Sequence, residues 1–129
     1  MGRRELVRLL VLNEICDDLE NVDQIILPHV AKGAAKCGLA VERSEVVDAL
    51  AGLVKDGLAK AYDLTPPVRD PFSRELPGMP SLDVAEEYFT TYFYVTKRGM
   101  DLQLSRDTWW PFDDNGNPRP DWHLDAPRS

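Results

Sequence analysis

Two histidines and two cysteines are the side chains of this sequence best suited to metal or nucleophilic chemistry, and their spacing argues against both. His29 and His123 lie far apart, and no Cys or His pair falls at the separations that hold zinc. Cys16 and Cys37 both sit in apolar stretches, where a free thiol behaves as a small hydrophobe, so they are read as buried and reduced. Carboxylates gather twice, as Asp17, Asp18 and Glu20 and again as Asp113 and Asp114 beside Asn115. The second group, D-D-N-G-N-P, lacks the alternating oxygen ligands and closing glutamate of a calcium loop, and reads as a turn with Asn115-Gly116 at its corner. No Ser-His-Asp spacing, phosphate-cradling glycine loop or paired catalytic carboxylate stands out. The expectation is a chain without catalytic residues, cofactor or metal.

Binding is the remaining chemistry, and two sets of residues offer it. Trp109, Trp110, Phe112 and Trp122 crowd a short C-terminal stretch that has no core of its own. Each ring buries on the order of 150 to 250 Å² when covered, so these rings either pack back over the first helix and a tyrosine face of Tyr88, Tyr92 and Tyr94, or clasp a second subunit. The other set is cationic: Arg3, Arg4, Arg8, Lys32, Lys36, Arg69, Arg74, Lys97 and Arg98, interrupted by acids and read as a dispersed, solvated mixture.

Helical and strand periods supply the elements that must carry these residues. From Arg3 to Leu19 the apolar positions recur every three or four residues, the period of a helix, with an apolar stripe wide enough to meet more than one neighbour. Arg3, Arg4 and Arg8 fall in its first turns, the wrong end for the helix dipole. After a break at 21–24, Ile25 to Cys37 is again helical, with Pro28 near the first turn and Gly38 as a left-handed stop. A turn from Leu39 to Arg43 leads to Ser44 as N-cap of a third helix, whose Val46, Val47, Leu50, Leu53 and Val54 share one face before Gly57 ends it.

Leu58 to Leu64 and Tyr88 to Val95 read as strands, the second with Phe89, Thr91, Phe93 and Val95 facing the core. Five prolines between them, at 66, 67, 71, 77 and 80, rule out a regular element over 65–87. Thr96 caps a short helix from Lys97 to Leu104, and Asp107 onward has no period.

At 129 residues, 43% hydrophobic and 29% charged, the chain suits one globular domain over 1–105 with an extended tail over 106–129. No run reaches the length of a membrane span, and the start reads as an amphipathic helix rather than a leader; with its reduced thiols this points to a cytoplasmic protein. The formal net charge of −7 opposes a polyanion partner on average, because nucleic-acid affinity comes largely from Lys and Arg against phosphate.

The stretch Arg43 to Tyr62, with its L-x-x-L-x-x-x-G-L exit, resembles the third helix of a winged-helix domain running into its first wing strand. Tyr92 to Leu102, Y-F-Y-V-T-K-R-G-M-D-L, is similar to the second wing strand entering a closing helix through a T-x-x-G step. The resemblance spans about Arg4 to Leu104 and implies an α+β, mainly α fold: a three-helix helix-turn-helix core, a β-hairpin wing with the long 65–87 loop, and a closing helix. It also implies DNA binding, through Arg43, Ser44, Lys55, Arg69, Arg74, Lys97 and Arg98.

The third helix departs from that pattern. With its valines and leucines inward, its outward residues are Glu45, Asp48, Ala49, Gly52, Lys55 and Asp56, half of them acidic, where groove readers place Arg, Lys, Asn and Gln. A protein-binding module that pairs with itself, using Tyr88, Tyr92, Tyr94, Trp109, Trp110, Phe112 and Trp122, is therefore preferred to a DNA-binding regulator.

Overall fold

The computed structural model of the chain describes residues 1–84 and 90–122. Helix α1, Arg3–Glu14, buries Leu6, Val7, Leu9, Leu10, Val11 and Leu12, and so is covered on several sides. Helices α2 (Leu27–Lys36), α3 (Arg43–Lys55) and α4 (Lys97–Leu104) all pack on it. The helical period runs on to Leu19, yet α1 stops at Glu14. There the sheet takes over: the carbonyl of Ile15 accepts a hydrogen bond from Val95 N at 3.1 Å, while Ile15 and Cys16 turn into the core. A long-range bond and burial override the local preference.

The break expected at 21–24 is an element of its own. Glu20–Asn21 forms a two-residue strand, β1, opposite Phe93 and Tyr92, and a π-helical turn, Val22–Ile26, then leads into α2. Buried Asn21 makes this switch, its Oδ1 accepting from Gln24 N at 2.8 Å and its Nδ2 donating to Gln24 Oε1 at 3.0 Å. Gly38, at φ +80°, closes α2 in the left-handed conformation expected of it.

Helix α3 starts one residue before its expected cap, so that Ser44 lies inside the helix and Glu42 holds the N-cap position without a side-chain bond. Arg43 anchors this start instead. Its guanidinium pairs with Asp23, 2.8 Å from Nε to Oδ1, and donates to the carbonyls of Leu82 and Val84.

Strands β2 (Ala59–Asp63) and β3 (Thr91–Val95) pair antiparallel with Ala61 opposite Phe93, giving a three-stranded sheet of order β1-β3-β2. Ala59, Ala61, Phe93 and Val95 face the core; Phe93 and Val95 do so as expected, Thr91 is only half-covered, and Tyr88 and Phe89 lie outside the described residues. The segment between β2 and β3 folds back on the domain: after a 3-10 turn at Pro71–Arg74, Leu76 N donates to Ala61 O at 2.8 Å, and Leu82 is buried.

Helix α4 has the expected bounds, and Thr96 caps it, accepting from Gly99 N at 3.2 Å while donating to Gly57 O at 2.7 Å. Beyond it Trp109 returns to the core and Asp113–Asn117 makes the expected turn: Asp113 Oδ1 accepts from Asn115 N and Asn117 N at 2.9 and 3.0 Å, and Gly116 has φ +79°. The described residues thus make an α+β fold, mainly helical, with four α-helices and one antiparallel sheet; none of the helices is long and apolar enough to cross a membrane.

Candidate functional site

Of the three arginines at the start of α1, two find anions on α3 and its C-cap, Arg3 at Glu45 and Arg8 at Asp56. Arg3 grips the Glu45 carboxylate from Nε at 3.2 Å and Nη2 at 2.8 Å, and also donates to Ala40 O at 2.5 Å. This carboxylate holds the Arg3 guanidinium above its ordinary pKa, by hydrogen bond first and charge second. Arg8 pairs with Asp56 at 2.7 Å and crosses above Gly52, where an added Cβ would sit 3.4 Å from its Nη1. Ion pairs this exposed are screened by solvent, so they shape the surface more than they hold the fold.

Between α1 and α3 they frame a groove of about 310 Å³, floored by Val7, Ala49 and Gly52 and rimmed by Arg3, Arg4, Arg8, Glu45 and Asp48. A second, wider groove of about 680 Å³ runs along the other flank of α1, where Leu9, Leu102 and Trp109 meet Arg4 and Arg8 again. Arg4 and Arg8 therefore stand on a ridge with a groove to either side.

This arrangement revises the face expected of α3. Val46, Leu50 and Leu53 are buried, but Val47 and Val54 are only half-covered. Of its outward residues, Glu45 and Asp56 are engaged by α1, and the exposed strip is Ser44, Asp48, Lys55 and Asp56. Val47 and Val54 still pack against the core, and the change is on the other side of the helix, where Glu45 and Asp56 face the arginines of α1.

The aromatic residues fall into separate groups. Tyr92 and Tyr94 share the outer face of the sheet with Tyr62, and Phe72 lies edge-on to Tyr62 and Tyr94, with ring centres 5.7 and 5.2 Å away; Tyr88 lies outside the described residues. The tail forms its own chain of edge contacts, Trp109 to Trp110 and Trp110 to Phe112, both at 5.4 Å. It packs on its own domain: Trp109 Nε1 donates to Leu102 O at 3.4 Å, Phe112 reaches Gly33 of α2, Lys36 lies over the Phe112 ring at 5.8 Å, and Trp122 rests half-buried on the core. Among the described residues no ring contact joins these groups. Phe72 had no periodic pattern to mark it, and Val7, Ala49 and Gly52 read as ordinary helix residues; the arginine cluster was the one signal of the groove.

The cations that the resemblance would assign to DNA are placed as follows. Arg43 is committed to Asp23 and the loop carbonyls, and Arg74 donates to Pro67 O at 3.3 Å. Arg69, Lys55, Lys97 and Arg98 are exposed, with Arg98 reaching the Gly57 turn at the end of α3.

Burial pushes the Cys16 thiol up to about 11 and raises Cys37 as well, so neither is a thiolate near neutrality. His29 meets Glu14 at 2.9 Å, and no three metal-ligating side chains converge among the described residues. Set against family models, curated proteins and solved structures, the chain matches none.

Proposed function

We propose that this protein is a non-catalytic module of winged-helix type that docks another protein chain in the groove between α1 and α3. The order of elements supports the architecture: α2 and α3 joined at Gly38 stand for the helix-turn-helix, β2 and β3 for the wing, and α4 for the closing helix. The observation that carries the role is the fate of α3. One of its sides is taken up by the arginines of α1, and of the exposed Asp48, Lys55 and Asp56 only Lys55 is cationic while Asp56 is already paired with Arg8, which leaves no net positive surface to attract phosphate. The groove beside it combines a small-residue apolar floor with a charged rim, the composition of a docking site for a polypeptide. Because Trp109 is buried, the reading moves the docking surface from the tail to this groove.

The alternative, a DNA-binding regulator, draws on exposed Lys55, Lys97 and Arg98, with Arg98 reaching the end of α3. Two measurements separate the readings. Fluorescence anisotropy with a random-sequence duplex at low salt is expected to show no saturable binding, while an Ala49→Arg bait is expected to lose partners that the wild-type bait retains. Duplex binding that weakens steeply with salt, or identical recovery by both baits, would sink the proposal.

A further inference from the structure

The charges of the α1/α3 groove do not all close within one chain. Arg3 is satisfied by Glu45 and Arg8 by Asp56, whereas Arg4 on the α1 wall and Asp48 on the α3 wall are both exposed and have no hydrogen-bond or ion-pair partner among the described residues. One open cation and one open anion therefore face the same apolar floor.

We infer that this groove is a two-fold interface between copies of the chain, in which Arg4 of each copy enters the groove of the other and pairs with Asp48. The inference rests on the reading of the groove as a protein-docking site and names its occupant. A two-fold contact demands that residue i meet j and that j meet i, and Arg4 with Asp48 is such a set. A partner bearing one charge would answer Arg4 or Asp48 and leave the other desolvated and alone, which is disfavoured. Shape agrees with charge: the start of α1 projects as a ridge, and Ala49 and Gly52 leave the facing groove room to receive it. The grooves on the two flanks of α1 share Arg4 and Arg8, so a copy seated on the ridge covers both. A standard interface takes about 800 Å² from each partner, close to a tenth of the 7912 Å² surface of this chain.

Sedimentation velocity on the full chain over a range of concentrations tests this. The wild type is expected to show a monomer–dimer equilibrium. Arg4→Asp and Asp48→Arg, each native by circular dichroism, are expected to weaken it by about tenfold or more through like-charge contacts. Mixing the two variants in equal amounts is the decisive measurement. In the mixed dimer both contacts again join opposite charges, so association is expected to return to within a few-fold of wild type.

A contact made inside one chain would be restored only by putting both substitutions in that chain, never by mixing. A wild type that stays monomeric, single variants that associate like wild type, or a mixture no stronger than its components would each overturn the inference. The docking reading survives a monomeric wild type as long as Ala49→Arg still loses captured partners, so the failure of one is distinguishable from the failure of the other.

Discussion

Cys16 shows how far a single residue follows from its neighbours in sequence. An apolar surround marked it as a buried thiol, and it is 4% exposed, its Sγ donating to Leu12 O at 3.1 Å. Burial, the dominant cause, lifts its pKa from 9.0 to about 11, with Asp17 adding to the shift. The unfolded chain therefore ionises first. The contribution of the neutral thiol to stability is complete below pH 9 and fades as the pH climbs toward 11. Urea midpoints followed across that interval are expected to fall less steeply in Cys16→Ala than in wild type; an unchanged slope would refute the assignment. A residual slope is expected from Cys37 and Tyr62, which burial raises in the same direction. Asn21 is the opposite case: nothing local distinguishes an asparagine in a turn from one that is buried, paired in a sheet and starting a helix, because its burial is imposed by β3.

Among the elements, α4 was the most legible and also rests on the tightest contact. Its T-x-x-G signature is both a cap and a docking device: Thr96 ties the helix start to Gly57, and the Gly99 backbone lies against the Leu58 corner between α3 and β2. A Cβ at Gly99 would fall 2.1 Å from Leu58 O and 2.5 Å from a Val95 methyl, and the first of these is backbone that has no rotamer to change. Gly99→Ala is expected to destabilise by about 3 kcal/mol, the upper end of overpacking, even though alanine is the better helix former. Chemical denaturation reads this directly, and a stabilised variant would mean that α4 does not sit where described. Helix α1 was legible in its apolar width but not in its end, since its last turn is forfeited to a hydrogen bond with a strand about eighty residues downstream. For α3 the apolar positions were right at Val46, Leu50 and Leu53, and the engagement of Glu45 and Asp56 was missed because the partner charges, Arg3 and Arg8, belong to another helix.

For the molecule as a whole, the class and the order of the four helices, β2 and β3 followed from period and turn chemistry, whereas the third strand β1 that turns the expected hairpin into a sheet, its π-helical turn and the groove did not, since each exists only where distant segments lie side by side. The C-terminal aromatics were recognisable as surface that must be covered, and what covers them is the domain itself. Trp109 fills the angle between α4 and α1, so Trp109→Ala is expected to cost about 3 to 5 kcal/mol, with an unchanged denaturant slope. An effect below 1 kcal/mol would show that the tail is an accessory rather than part of the core. The clasp at Arg43 bears on the order in which the molecule comes together. One guanidinium gathers Asp23, the first turn of α3 and the carbonyls of Leu82 and Val84, so the far end of the proline-rich connection gains this anchor only once the segments on either side of Gly38 have met. An end held through an ion pair between two other segments is expected to close after they dock and to open before they part, which makes the clasp a latch rather than a hinge.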